Sequence, residues 1–136
     1  SRDHAMQLDK RLRKLQQHDY GRFWADIEGD GAAAVLTFGS TTAALREAVA
    51  RAARAGINVR LIAIRLLAPA QPEQLAAALA GISQVLVVEQ NHGAQLFRYL
   101  RSMYDLPGKP GSFHRPGPLP LRPGELATAI AGWART

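Results

Sequence analysis

Apolar and polar positions in this chain switch abruptly, and the switches mark the elements. Val85-Leu86-Val87-Val88 is an unbroken aliphatic run that passes straight into Glu89-Gln90-Asn91-His92. Apolar residues then recur at helical spacing. An unbroken run of this kind predicts a strand buried on both faces, as in a parallel α/β sheet. The polar cluster falls at the carboxyl end of that strand, where open α/β sheets place their ligands and interfaces. Ala33-Ala34-Val35-Leu36-Thr37-Phe38 repeats the layout, followed by Gly39-Ser40-Thr41-Thr42 and a second helix.

The same reading extends along the chain. Ala5, Leu8, Leu12 and Leu15 form a narrow apolar stripe on a charged helix from about His4 to Gln17. Tyr20 to Gly31 reads as irregular, with Phe23, Trp24 and Ile27 able to anchor it. After the strand at 33–38, Ser40 or Thr41 can cap a helix whose stripe is Leu45, Ala48, Val49 and Ala52. Gly56 supplies its stop. Asn58 to Arg65 is the next strand, and Pro72 opens a helix that turns Leu75, Leu79 and Ile82 inward. Gln84 to Glu89 is a strand, and a helix from about Gly93 to Met103 buries Leu96, Tyr99 and Leu100. Prolines crowd the stretch from Leu106 to Gly124, leaving room for one short strand near Ser112 to Arg115. Pro123 starts a final helix over Glu125 to Trp133.

These elements predict a three-layer α/β/α sandwich with a mostly parallel sheet of about four to five strands. The Gly39–Thr42 and Glu89–Gln95 turns are expected at one sheet edge. Residues 1–31 read as a connector helix and lead-in, and residues 32–136 as the α/β domain. The chain has no Met at position 1, which fits a segment of a longer subunit or a processed chain.

Composition narrows the function classes. Hydrophobic residues make up 47% and charged residues 21%, ordinary for a globular protein. No run approaches the roughly 18 apolar residues of a membrane span, and Ser1-Arg2-Asp3-His4 does not open a signal peptide. A cytoplasmic location with no membrane partner is expected. The absence of cysteine removes disulfides, thiolate metal sites, iron–sulfur ligation and Cys nucleophiles. The net charge of +6 includes Lys10, Arg11, Arg13 and Lys14 in the first helix. Few aromatics interleave with the basic residues, and no nucleic-acid-binding module is recognisable, so no nucleic-acid partner is expected. His4, His18, His92 and His114 lack metal-ligand spacing, and no metal site is expected.

Three clusters carry candidate chemistry. Gly29-Asp30-Gly31 and Asn58 mimic the spacing of a thiamine diphosphate motif. That motif requires its glycines after a buried strand, whereas these precede one, and turn chemistry explains them. Gly39, Ser40 and Thr41 lead a helix amino terminus that could hold an anion, although plain capping also accounts for them. Glu89, Gln90, Asn91 and His92, with Gln95, could supply a base, a carboxamide clamp and an imidazole, or serve an interface or a helix terminus. No catalytic residue is assigned. Gly39, Ser40, Thr41, Glu89, Gln90, Asn91, His92 and Gln95 are the candidate interface or ligand-facing residues.

With these residues in place, the chain resembles the C-terminal domain of the alpha subunit of 2-oxoacid:ferredoxin oxidoreductases, most closely the 2-oxoglutarate type. The resemblance rests on Arg11-Leu12-Arg13-Lys14-Leu15, Thr37-Phe38-Gly39-Ser40-Thr41, Pro69, and Val87-Val88-Glu89-Gln90-Asn91 with Gln95. The family commonly places Gly directly before the Gln that matches Gln95; this chain has Ala94 there, with Gly93 one place earlier. The resemblance implies a transketolase C-terminal-like fold. It also implies a complex that converts a 2-oxoacid and coenzyme A to acyl-CoA and carbon dioxide and passes electrons to ferredoxin. Thiamine diphosphate, magnesium and iron–sulfur clusters would reside elsewhere in that complex, in a thiamine-binding beta subunit or the remainder of the alpha subunit. The chain itself would hold no cofactor and be inactive alone, supporting assembly and shaping the active site. Glu89→Ala or Asn91→Ala would then weaken the complex and spare the isolated fold. The alternatives are the equivalent domain of a transketolase or a dehydrogenase beta subunit, and a free-standing α/β module holding a phosphorylated ligand at Gly39 to Thr42.

Overall fold

A computed structural model describes residues 21–135. The expected helix at 4–17, with the Arg11–Leu15 segment, lies outside the described residues. Five strands form one sheet: β1 (Ala25–Glu28), β2 (Ala33–Phe38), β3 (Arg60–Ile64), β4 (Gln84–Glu89) and β5 (Gly111–His114). Their spatial order is β1-β3-β2-β4-β5. All neighbours pair in parallel except β1, which lies antiparallel on β3. Among the described residues four α-helices cover the sheet: α1 (Thr42–Arg54), α2 (Pro72–Ala78), α3 (Gln95–Met103) and α4 (Pro123–Ala134).

The aliphatic runs are buried on both faces, as their lack of alternation predicts. Ala34, Leu36, Ile62, Val85 and Val87 meet α2 and α3 on one side of the sheet. Ala33, Val35, Leu61, Leu86 and Val88 meet α1 and α4 on the other. The result is the expected α/β/α sandwich. Gly56, at φ +86°, ends α1 as its position foretells, and the Ile57 amide returns to the Ala52 carbonyl at 2.9 Å.

The segment read as irregular does not stay so. Gly21–Trp24 forms a 3₁₀ turn and 25–28 become the edge strand β1. Its apolar signal is too short and too interrupted by Asp26 and Glu28 to reveal a strand. It pairs along its whole length with β3, and its carboxylates add ion pairs: Arg46 of α1 reaches both, and Arg65 also binds Asp26. Of the three expected anchors only Trp24 is buried, while Phe23 and Ile27 remain exposed.

Topology then decides where a site can lie. From central β2 the chain passes through α1 to β3 on one side. From β4 it passes through α3 to β5 on the other, across the opposite face. The carboxyl ends of β2 and β4 therefore flank a topological switch point, the usual place for a crevice in such sheets. Both predicted turns emerge there.

Candidate functional site

The two strands at the switch point are tied side to side. Thr37 is fully buried, and its hydroxyl donates to the Val88 carbonyl at 2.8 Å. One residue beyond Val88, the Glu89 side chain is 4% exposed. A buried carboxylate is costly unless its oxygens are satisfied, and here they are. Oε1 accepts the Leu96 amide at 2.7 Å and the Asn91 carboxamide N–H, while Oε2 accepts the Phe97 amide at 2.9 Å. Asn91 Oδ1 in turn accepts the Gly93 and Gln95 amides, each at 3.2 Å.

The chain has thus supplied its own anion to the amino end of α3. Gln95, Leu96 and Phe97 are the first three residues of that helix, and every one of their amides reaches a side-chain oxygen. The helix carries no acidic residue in its first turn, and Glu89 brings negative charge to its dipole. Ala94, just before the helix, sits in the left-handed region at φ 51°, ψ 45°. This is the position where the resembled family commonly carries Gly, the residue that tolerates such a conformation.

The neighbouring turn is different. Gly39–Thr41 forms a 3₁₀ turn, and no side chain caps α1. The expected cap by Ser40 or Thr41 does not form. Thr41 has helical dihedrals of −77° and −13°, whereas a capping residue is usually extended so that its hydroxyl can fold back. Gly39 and Ser40 are exposed and Thr41 is buried. The two turns share the carboxyl end of the sheet, as expected. Of the candidate residues, the structure brings Glu89, Asn91 and the Gln95 backbone into one network. His92 and the Gln95 side chain face outward.

Gln90 turns the other way, toward the segment after β5. Its carboxamide donates to the Leu119 carbonyl at 2.5 Å and accepts the Leu121 amide at 3.1 Å. This pins a strap of alternating prolines, Pro116 to Pro120. At the strap's base Arg115 meets Glu125 in a two-pronged pair, both contacts at 2.7 Å. Glu125 also accepts the Arg122 amide at 2.7 Å at the start of α4. The Arg115 guanidinium and that amide hold the Glu125 carboxyl down to about 2. Between strap, α1 and α4 lies an open cleft of about 770 Å³, lined by Arg51, Arg115, Arg122 and Glu125. No periodic pattern marks these residues. The only hint of them is the density of proline, which signals an irregular segment without saying what it brings together.

The thiamine-like spacing does not fit the cofactor. Asp30 Oδ1 accepts the Gly31 amide at 2.9 Å and the Arg60 guanidinium at 2.8 Å. It lies before β2, at the opposite end of the sheet from the switch point. Gly31 is required by packing, since a Cβ there would stand 2.2 Å from the Asn58 carbonyl oxygen. Among the described residues no group of three or more His, Asp or Glu is placed to hold a metal. None of the described helices is long and apolar enough to cross a membrane.

Comparison with known proteins agrees with this architecture. No curated protein matches the chain in sequence. Among solved structures it is similar to a 2-oxoglutarate:ferredoxin oxidoreductase from Magnetococcus marinus, determined with 2-oxoglutarate, coenzyme A and succinyl-CoA bound. The two share 25% identity with a TM-score of 0.81, covering 96% of this chain and 23% of that one. The chain therefore spans about a quarter of the length of this relative. A family model for pyruvate:ferredoxin oxidoreductase core domain II matches residues 32–107, more than half of the sequence and the whole central α/β unit from β2 through α3. By this match, and by the parallel sheet with its two turns at the switch point, the chain belongs to the pyruvate:ferredoxin oxidoreductase core domain II family.

Proposed function

We propose that this chain is the assembly and active-site-shaping domain of a 2-oxoacid:ferredoxin oxidoreductase alpha subunit, of the 2-oxoglutarate type. The observation that carries this reading is the likeness over 96% of the chain to a fragment amounting to 23% of a 2-oxoglutarate enzyme. A piece of that relative size, with the same layout, serves as one domain among several.

The site chemistry supports a positional role. Among the described residues Glu89 is the one buried carboxylate at the switch point, and both its oxygens are taken by α3 amides and Asn91. It fixes the angle at which α3 leaves the sheet, and Gln90 fixes the strap beside it. Rigid turns of this kind suit a surface that meets another subunit or borders a substrate channel. Thiamine diphosphate, magnesium and iron–sulfur clusters would supply decarboxylation and electron transfer from elsewhere in the complex. The partners are then a thiamine-binding beta subunit, the rest of the alpha subunit, ferredoxin and coenzyme A, in the cytoplasm.

The test is purification of the protein that carries this chain, with its associated subunits, followed by native mass spectrometry and a ferredoxin-reduction assay. The expected result is co-purification with a thiamine-binding subunit and reduction that needs both 2-oxoglutarate and coenzyme A. A species without such a partner, unable to reduce ferredoxin with any 2-oxoacid, overturns the reading.

A further inference from the structure

We propose that the outer edge of β1, with Phe23 and Ile27, is the docking surface for the apolar stripe of this chain's own first segment, Ala5, Leu8, Leu12 and Leu15. Among the described residues β1 is an outermost strand of the sheet and pairs with β3 alone. Along it runs an open concavity of about 530 Å³, lined by Phe23, Trp24, Ala25, Asp26, Ile27 and Arg65. Two of these are large apolar side chains turned outward, Phe23 at 65% exposure and Ile27 at 47%. A single exposed apolar residue is ordinary on a protein surface, but adjoining ones in one concavity mark a contact face.

The occupant follows from where the chain enters. Residues 1–20 run into Gly21, which opens the 3₁₀ turn leading to β1. Their sequence spaces Ala5, Leu8, Leu12 and Leu15 at helical intervals, opposite Lys10, Arg13 and Lys14. An apolar stripe of this kind is buried against another element in a folded protein. From Gln17 to Gly21 the backbone reaches at most about 14 Å, so the Leu15 end of the stripe stays close to β1. On a helix Leu8 and Leu15 stand about 10 Å apart along the axis. Phe23 and Ile27, four residues apart, are separated by no more than about 14 Å. The two apolar rows therefore match in length.

Tethering favours this occupant over an outside partner. A segment joined by a short linker presents itself at an effective concentration on the order of millimolar. The contact is apolar and not ionic. Asp26, Glu28 and Asp30 on this edge are already paired with Arg46, Arg65 and Arg60, which leaves the basic face of the segment to solvent.

The experiment uses the purified protein carrying this chain, with the subunits that accompany it. The chain has no cysteine of its own, so Ile27→Cys places one thiol at the edge. Its maleimide labelling is followed by peptide mass, alone and combined with Leu8→Ser/Leu12→Ser. Lys10→Ser/Lys14→Ser, on the opposite face of the segment, is the control. The expected result is labelling that quickens about tenfold in the leucine variant and stays within about twofold in the lysine variant. Hydrogen exchange of the 23–28 peptide, which needs no substitution in β1, should quicken in the leucine variant only. Labelling and exchange unchanged by Leu8→Ser/Leu12→Ser overturn the proposal, as does an equal rise in the lysine variant. If the edge is then protected in a way that falls on dilution, it belongs to a second copy or another subunit and not to this segment.

Discussion

The turns after β2 and β4 leave adjacent strands at the same end of the sheet, and each feeds a helix, yet their side chains treat that helix in opposite ways. After β4, Glu89 and Asn91 satisfy the first three amides of α3 from within the chain. After β2, no side chain caps α1. An internal carboxylate at a helix amino terminus fills the place that a phosphate would take in many α/β proteins. The β4 turn is therefore closed to anions and serves as a rigid bracket. This contrast explains how a polar stretch at the end of a central strand comes to serve the fold.

The contrast is sharpest at Glu89. Glu89→Ala leaves two α3 amides and Asn91 without their charged acceptor and should cost about 3 kcal/mol in urea unfolding. The isolated fold is then not spared, contrary to what the sequence suggests, because the carboxylate is a cap and not a free surface group. A loss under about 1 kcal/mol would erase the distinction between the turns. Asn91→Ala removes the acceptor for two weaker contacts and should cost about 1 kcal/mol by the same measurement. Ala94→Gly should move the other way. Relief of the left-handed alanine is worth about 1 kcal/mol, so the melting temperature should rise.

The strap after β5 adds a pH test. The Glu125 carboxyl is held below its ordinary value, so its contribution to stability is complete above the unfolded value of 4.5. That contribution is lost as pH falls through about 2. Glu125→Gln should flatten the decline in stability between those limits, measured by thermal melts across the acid range. An equally steep decline in the variant would show that other carboxylates govern it. Smallest of all, Ser40→Ala should change stability by less than about 0.5 kcal/mol, since no cap is lost. A cost matching Asn91→Ala would show the β2 turn to be wired after all.

The strand runs were legible because burial on both faces leaves a plain mark, an unbroken aliphatic stretch. Ala33–Phe38 and Gln84–Glu89 fall where that mark places them. The helix bounded by Thr42 and Gly56 was equally plain, because a left-handed glycine ends a helix locally. The edge strand at 25–28 was not. Half of it is acidic, and its pairing with β3 and the ion pairs to the arginines at 46 and 65 come from residues distant in sequence. The cleft was hidden for the same reason: Arg51, Arg115 and Arg122 belong to no common period.

The sequence by itself determined the layers, the order of strand and helix, and the end of the sheet at which polar residues collect. Those follow from periodicity and from local backbone preference, which neighbouring residues settle among themselves. Tertiary structure alone decided what the polar residues do. Glu89 could have faced solvent, a ligand or another subunit, and the choice was made where α3 docks with its amino end over the end of β4. Its hydrogen bonds to the Leu96 and Phe97 amides, seven and eight residues on, depend on that docking angle, which packing on both faces of the sheet fixes.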